Sequence, residues 1–288
     1  MKKFLYLILK TLRKLVSGKE ESFRKIPFIT KTFNFLYQIS GPKGVILVEA
    51  NGNKMFVDAK ASGLVLTGYW EKHETETFKE IIKEGMTVVD IGAHIGYYTL
   101  IAASLVGKNG KVYAFEPEPE NYSLLLKNIE VNGYQNVILV NKAVSNKMGT
   151  AKLFLGTSAL HSIVGSSIND KYIQVETITL DNFFEKKEKI DLIKMDAEGA
   201  EYMIFGGMQE ILKDNNDIII FTEFYPALLG KYVESQKYLD ELTKSNFKLF
   251  TINNKKIKPV NVNYLMNEMY KKNQDSINLL CIRNHLRK

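Results

Sequence analysis

Short apolar runs alternate with longer amphipathic stretches through the chain downstream of residue 86. The apolar runs predict β-strands, which we place at Thr87–Ile91, Lys111–Phe115, Asn136–Val140, Ile190–Asp196, Asp217–Glu223, Lys248–Ile252 and Ile277–Ile282. The amphipathic stretches predict helices, which we place at Tyr97–Leu105, Pro119–Asn132, Ala200–Lys213 and Gln236–Ser245. Strands that alternate with helices are typical of a mainly parallel sheet with helices on both faces, so we predict an α/β fold.

The first 70 residues follow a different pattern. One face of a predicted N-terminal helix carries the apolar residues Phe4, Leu5, Ile8, Leu12, Leu15 and Val16. A second helix is expected within residues 17–43, and the turn sequence Asn51-Gly52-Asn53 between two strand-like runs predicts a hairpin. We therefore predict an N-terminal helical and hairpin extension over residues 1–70 and one main domain over residues 71–288.

The N-terminal helix is amphipathic and basic, with lysine or arginine at positions 2, 3, 10, 13 and 14. Its uninterrupted apolar run, Phe4 to Leu9, is far shorter than the roughly 18 residues that span a bilayer. No clear small-residue cleavage site follows it, which argues against a signal peptide. Two interpretations remain: the helix lies on an anionic membrane surface, which we favour, or it packs on the domain or on a partner subunit.

Composition sets limits on the class of protein. The chain has 288 residues, of which 45% are hydrophobic and 25% charged, as in globular proteins, and its formal net charge is +7. The lysines are scattered and no arginine-rich tract or zinc-finger spacing occurs, so nucleic acid is not an expected partner. Cys281 is the single cysteine, which excludes a disulfide framework.

The loop after the first strand of the main domain carries Gly92 and Gly96. Glycine permits a tight turn and a close approach of the backbone to a ligand, and the helix that begins at Tyr97 offers N–H groups to an anionic group. A dinucleotide fingerprint needs G-x-G-x-x-G, whereas here the spacing is wider and His94 takes the place of the second glycine. The loop therefore favours a nucleoside cofactor with an amino-acid end over a nicotinamide dinucleotide.

Acidic residues end three of the predicted strands, at Glu116, Asp196 and Glu223. Ligands in open α/β sheets bind beyond the carboxyl ends of the strands, so we expect these residues to face one cleft. Glu116 can accept hydrogen bonds from both ribose hydroxyls of a nucleoside. Asp196 and Glu223 can orient a hydroxyl, act as a base or hold a divalent cation, and of these roles we do not favour the cation site.

Several segments together resemble the FkbM-type methyltransferases over residues 75–225: VVDIGAHIGYYTL, VYAFEPEPENYSLLLKN, AVSN, TITLDNFF and IDLIKMDAEGAEYMIFGGMQEIL. The resemblance implies a Rossmann-like class I methyltransferase fold, with a seven-stranded, mostly parallel sheet whose last strand pair is reversed. It also implies that the cofactor is S-adenosylmethionine and that the methyl group passes to a hydroxyl oxygen, often on a sugar or a natural product.

The resemblance further implies which residues touch the cofactor. The methionine part would be held by Asp90, Gly92, Ala93 and Gly96, the ribose by Glu116 beside Pro117, the adenine by Ala143 and Val144, and the methyl group would lie beside Asp196. For removal of the acceptor proton, we rank Asp196 first and Glu223 second. His161, in the segment GTSALHSIVGSS, ranks third because it can enter from a loop over the site.

Two other function classes stay open from the sequence: a non-catalytic module that keeps the cofactor fold, and a nicotinamide oxidoreductase. The expected partner is a small-molecule or glycan acceptor, and the basic N-terminal helix suggests a glycolipid or lipid-linked glycan. We expect a cytoplasmic protein with peripheral contact at the inner membrane face.

Overall fold

The structure is a computed structural model that describes residues 2–16, 27–59, 68, 70–156, 161–163, 171–184, 188–229, 235–253, 256–272 and 276–283. The helices are α1 (Lys2–Val16), α2 (Pro27–Ser40), α3 (Lys72–Ile81), α4 (Tyr97–Val106), α5 (Pro119–Asn132), α6 (Leu180–Phe184), α7 (Glu201–Gly206), α8 (Gln209–Asp214), α9 (Pro226–Leu229), α10 (Ser235–Lys244) and α11 (Val262–Lys272). The strands are β1 (Val45–Ala50), β2 (Asn53–Asp58), β3 (Thr87–Ile91), β4 (Lys111–Phe115), β5 (Val137–Val140), β6 (Ala143–Val144), β7 (Gly149–Leu155), β8 (His161–Ser162), β9 (Tyr172–Ile178), β10 (Leu192–Met195), β11 (Ile219–Phe224), β12 (Phe247–Asn253), β13 (Lys256–Val260) and β14 (Ile277–Arg283).

The main sheet confirms the predicted α/β fold. Its strand order is β13-β12-β14-β11-β10-β3-β4-β5. The five strands from β11 to β5 pair in parallel, and β14 runs antiparallel to both β11 and β12. The last two of the predicted strands, β12 and β14, therefore lie in reversed order along the sheet, as the resemblance implied.

The sheet has eight strands, so the predicted count of seven is wrong by one. The additional strand β13 pairs only with β12, at the edge of the sheet. Its sequence, KIKPV, contains Pro259, and proline is tolerated on an edge strand because its missing N–H can face away from the neighbouring strand. A run this polar does not predict a strand from the sequence. The strand β13 forms because it pairs with β12.

Alternation along the central strands sends side chains into two separate hydrophobic cores. In β3, Val88 packs on the face that α3, α4 and α5 cover, whereas Val89 and Ile91 pack on the opposite face with α7, α8 and α10. In β10, Leu192 shares the face of Val88, and Ile193 shares that of Val89. Since successive residues of a strand point to opposite faces, the even-numbered residues of β3 and β10 face α4.

The predicted helix Ala200–Lys213 is wrong in one respect, because the chain forms two short helices there, α7 and α8. A Cβ at Gly207, between them, would lie 2.1 Å from the Ser145 backbone oxygen, so the segment after β6 packs directly on the chain at the break. The Asp181 carboxylate then accepts hydrogen bonds from the N–H groups of Glu210 and Ile211 and starts α8. Neither contact is visible in the local sequence pattern.

The hairpin predicted around Asn51 is formed by β1 and β2, which pair antiparallel. Two asparagine side chains of α5 then extend it, because Asn128 and Asn132 exchange hydrogen bonds with the backbones of Phe56 and Lys54. The hairpin therefore packs on α4 and α5 as part of the core on that face of the sheet. The boundary at residue 70 stays a prediction about domain organisation.

The insertion between β5 and β10 forms a second, four-stranded sheet with the order β6-β9-β7-β8. The strand-like runs AKLFL and IQVETITL, noted in the sequence, supply β7 and β9. Among the described residues, no helix combines the length and hydrophobicity that a membrane crossing requires.

Candidate active site

The glycine loop joins β3 to α4, and close backbone packing explains both of its glycines. Gly92 adopts a φ of 75°, and a Cβ there would lie 1.9 Å from the backbone oxygen of Asp196. Gly96 adopts a φ of 95°, and a Cβ there would lie 2.6 Å from a methyl carbon of Leu125. Both conformations are in the left-handed region that favours glycine. The loop is thus pressed against the carboxyl end of β10 on one side and against α5 on the other.

Asp90, the fourth residue of β3, lies behind this loop. Its carboxylate is fully buried, accepts a hydrogen bond of 2.6 Å from the Thr99 hydroxyl, and lies 3.8 Å from the ammonium of Lys194. Burial raises the pKa of Asp90, and Lys194 and Thr99 oppose that shift. In this position, Asp90 fixes the first turn of α4 against β3.

Glu116 lies directly beside the glycine loop, as the sequence predicted. One carboxylate oxygen accepts a hydrogen bond of 2.7 Å from the backbone N–H of His94, and the other accepts one of 2.9 Å from that of Glu118. Burial raises the pKa of Glu116 to about 7, against the pull of these hydrogen bonds. Each carboxylate oxygen has more than one acceptor site, so the group can bind these amides and ribose hydroxyls together.

The expected adenine contacts, Ala143 and Val144, form β6 and are buried. The preceding Asn141 was missed by sequence reasoning. Its side-chain amide donates to the backbone oxygen of Glu116 at 2.7 Å and to that of Pro117 at 3.3 Å, so it ties the segment before β6 to the Glu116 turn. An asparagine two residues before the AVSN segment carried no signal by itself.

Three carboxylates meet at the carboxyl ends of β10 and β11: Asp196, Glu198 and Glu223. One oxygen of each lies within 4.8 Å of the other two. Burial, followed by the nearby charge of Asp196, raises the pKa of Glu198 to about 8 and that of Glu223 to about 7. The predicted convergence of Asp196 and Glu223 is therefore correct, and Glu198 joins them.

Glu201 supports the same turn from the start of α7. Its side chain is buried, and one carboxylate oxygen accepts a hydrogen bond of 2.8 Å from the Ala197 N–H. Glu198, within this turn, has a φ of 50°, which is uncommon for a residue with a side chain. Glu201 thus stabilises the turn that carries Glu198 to Asp196 and Glu223.

Lys194 and Glu71 were both missed by sequence reasoning. Lys194 lies in β10 with its ammonium 3.2 Å from an Asp196 carboxylate oxygen. Glu71, just before α3, accepts a hydrogen bond of 3.3 Å from the Tyr98 hydroxyl. Burial raises the pKa of Glu71 to about 8, and the charge of Asp196 adds to that shift. A charged residue inside the apolar run LIKM was a usable signal for Lys194, whereas nothing near Glu71 in the sequence marked it.

His161 lies in β8 of the second sheet, where it pairs with Leu155. The hydroxyl of the next residue, Ser162, donates a hydrogen bond of 2.6 Å to the backbone oxygen of Glu198. The second sheet therefore reaches the turn after β10. Most of the segment GTSALHSIVGSS falls outside the described residues, which include 156 and 161–163 from it.

Comparison with known proteins places this geometry in a family. The family model described as "Methyltransferase FkbM domain" matches residues 90–249, more than half of the chain. The hexuronic acid methyltransferase AglP of Haloferax volcanii is 26% identical over 171 residues, which make up 58% of this chain and 69% of that protein.

A shorter match involves the protein-L-isoaspartate O-methyltransferase of Methanococcoides burtonii, which is 47% identical over 60 residues. Those residues make up 21% of this chain and 30% of that protein, so the chain covers less than a third of such relatives. Among solved structures, TYW2 of M. jannaschii in complex with AdoMet is 17% identical, with 84% of this chain and 85% of that one covered and a TM-score of 0.44. The family match, together with a sheet in which β14 is reversed beside β11, shows that this chain belongs to the FkbM family of methyltransferases.

Proposed function

We propose that this chain transfers the methyl group of S-adenosylmethionine to a hydroxyl oxygen of a sugar or glycan. The observation that carries the proposal is the meeting of Asp196, Glu198 and Glu223 beside the glycine loop and Glu116. Membership of a methyltransferase family supports the reaction class. S-adenosylmethionine, when bound, supplies an electrophilic methyl group on a positively charged sulfur.

The residues present fit this cofactor. Close packing on Asp196 and Leu125 holds the loop of Gly92, Ala93 and Gly96, and Asp90 fixes it from behind, so we assign the methionine part to this loop. Glu116, followed by Pro117, is placed for the ribose, and the buried pair Ala143 and Val144 for the adenine. The local excess of carboxylates favours a ligand with positive charge.

Asp196 is our first candidate for the residue that orients the acceptor hydroxyl and receives its proton. It directly follows β10 next to the glycine loop, and its side chain is 39% exposed, so an acceptor can reach it. Glu223, from the adjacent strand, is the second candidate, and His161 is the third. Alignment of the hydroxyl with the methyl group and transfer of its proton are the two tasks that such residues perform.

One relative supports the choice of acceptor class. AglP is named as a hexuronic acid methyltransferase, and its match covers 69% of that protein. We infer that an acidic sugar, free or within a glycan, is the first acceptor to test here.

Two measurements test the proposal. Calorimetry with S-adenosylhomocysteine and with NAD should show binding of the former alone, and the reverse result would identify a nicotinamide oxidoreductase. Labelled methyl transfer to hexuronic acid oligosaccharides should then give a methyl ether. Cofactor binding without transfer to any hydroxyl acceptor would instead fit the non-catalytic module.

We also propose that α1 touches an anionic membrane surface. Leu9 is buried and belongs to the same hydrophobic core as α4 and α5, while Phe4, Ile8 and Leu12 are 70%, 41% and 51% exposed. These three residues repeat every four positions and so share one stripe of the helix. Lys2 is also exposed on this helix, so an apolar stripe and positive charge are presented together. A cytoplasmic location at the inner membrane face follows only as part of this proposal.

A further inference from the structure

Lys194 is a buried lysine in the centre of the main sheet. Its side chain is 5% exposed, and its strand, β10, pairs on both sides in parallel, with β3 and with β11. The register places Lys194 directly opposite Asp90 on one side and Phe221 on the other. Residues two apart in a strand share a face, so Lys194 and Asp196 point toward the same layer.

The ammonium of Lys194 connects two acids that have different positions in the site. It lies 3.2 Å from an oxygen of Asp196, which faces the cleft, and 3.8 Å from an oxygen of Asp90, which is buried behind the glycine loop. It also lies 4.7 Å from the ring centre of Tyr98, on α4. A buried ammonium is costly without such partners, so this arrangement fixes the position of the Lys194 side chain.

Further acids face this ammonium from the surrounding elements. The carboxylates that interact with Lys194 or with its partner Asp196 are Glu71 before α3, Glu198 after β10, Glu201 at the start of α7 and Glu223 on β11. Burial opposes the charge of Lys194, but Asp196 and Asp90 outweigh it and raise the pKa of Lys194. Lys194 therefore keeps its proton and is not the base.

We propose that Lys194 is a positioning residue for methyl transfer. This inference rests on the proposed function. The ammonium holds Asp196 as an oriented carboxylate at the end of β10 and ties it to Asp90 behind the cofactor loop. The cofactor side and the acceptor side of the site then share one fixed cation, which lowers the electrostatic cost of bringing these acids close together.

The test compares Lys194→Met, Lys194→Arg and a matched control, Lys213→Met, in the full chain. Lys213 also forms an ion pair, with Glu210 at 2.6 Å, but on the surface of α8. The first measurement is the NMR titration of side-chain carboxyls in protein labelled with ¹³C at these groups, and Glu223→Gln assigns one of the resonances. The second is the dependence on pH of methyl transfer to hexuronic acid oligosaccharides.

Lys194→Met should raise the titration midpoint of at least one site carboxyl by about one pH unit or more, because an adjacent cation is lost. Methyl transfer at neutral pH should fall at least about tenfold and partly recover at higher pH, as the carboxylates ionise. Lys194→Arg should keep midpoints close to those of the wild type, and Lys213→Met should change neither measurement.

Wild-type midpoints and an unchanged pH profile in Lys194→Met would overturn the inference. If Lys194→Met does not fold, the test uses Lys194→Arg instead. Titration midpoints of the site carboxyls equal to those of the wild type would support a role for the positive charge, and displaced midpoints would contradict it. Failure of the proposed function is recognised separately, because it appears as absent binding of S-adenosylhomocysteine to the wild type.

Discussion

Gly92 lies so close to Asp196 that any side chain at position 92 would overlap the Asp196 backbone oxygen, at 1.9 Å from the Cβ. The glycine loop and the turn after β10 are therefore one packed unit. This packing fixes the position of the glycine loop relative to Asp196.

Gly92→Ala should destabilise the chain and abolish cofactor binding. The left-handed φ costs about 1–2 kcal/mol for alanine, and the overlap adds about 1–3 kcal/mol. Gly133→Ala is the matched control, because Gly133 has a φ of 71° with no atom within 4 Å of a Cβ. Urea denaturation and calorimetry with S-adenosylhomocysteine measure both effects. Equal losses in the two variants would show that packing on Asp196 contributes nothing.

Asp196→Asn should reduce methyl transfer by about 100-fold or more, because proton removal by a positioned group contributes about 10²–10⁴. Glu223→Gln should have a smaller effect and His161→Ala the smallest, in the order of our candidates. The measurement is labelled methyl transfer under saturating cofactor, with circular dichroism as the folding control. A wild-type rate in folded Asp196→Asn would remove this residue from the mechanism.

The cofactor-free chain should lose stability as pH rises from about 5.5 to 8.5. Burial raises the pKa of Glu198 to about 8 and that of Glu116 to about 7. An acid whose pKa is higher in the folded chain than in the unfolded one binds protons on folding, so its contribution is present at low pH and lost as pH rises through the folded pKa.

Glu198→Gln should therefore reduce the loss of unfolding free energy over this pH range by an amount on the order of 1–2 kcal/mol. The melting temperature of this variant should accordingly change less with pH than that of the wild type. Glu130→Gln, at an exposed position of α5, is the control and should leave the pH dependence unchanged. Melting curves at closely spaced pH values provide the measurement. A parallel pH dependence in Glu198→Gln and wild type would contradict the account.

Methyl transfer should persist after removal of divalent cations. Asp196, Glu198 and Glu223 could provide three oxygen ligands, but the Lys194 ammonium already lies 3.2 Å from Asp196 and offsets part of their charge. The measurement is the rate after chelation with EDTA and dialysis, followed by addition of Mg²⁺ or Mn²⁺. Loss of activity that a metal restores would instead establish a cation site at these carboxylates.

Membrane binding through α1 should depend on its exposed apolar stripe. Ile8→Asp should weaken sedimentation with vesicles that contain phosphatidylserine, because the charge opposes burial of this face in the lipid. Leu126→Asp is the matched control, since Leu126 is also 41% exposed but lies on α5. Equal binding of both variants, or equal binding to neutral vesicles, would rule out the proposed contact.

Local pattern was sufficient where an element is defined by its own residues. The strands that carry Asp90, Glu116, Asp196 and Glu223 were predicted because buried parallel strands read as apolar runs. Their convergence followed from the rule that ligands lie beyond the carboxyl ends of such strands. The edge strand β13 and the break before α8 were missed because contacts with β12, and with Ser145 and Asp181, create them.

The sequence by itself determined the strands that carry the site, the wide glycine spacing and the acids at the strand ends, since each depends on neighbouring residues. Only the tertiary structure decided what surrounds those acids. Lys194 faces Asp90 because two strands pair in one register, and Glu71 reaches the site because α3 packs beside α4. The interaction between charges in a buried site depends on their distance in the folded chain, and the sequence alone does not give that distance.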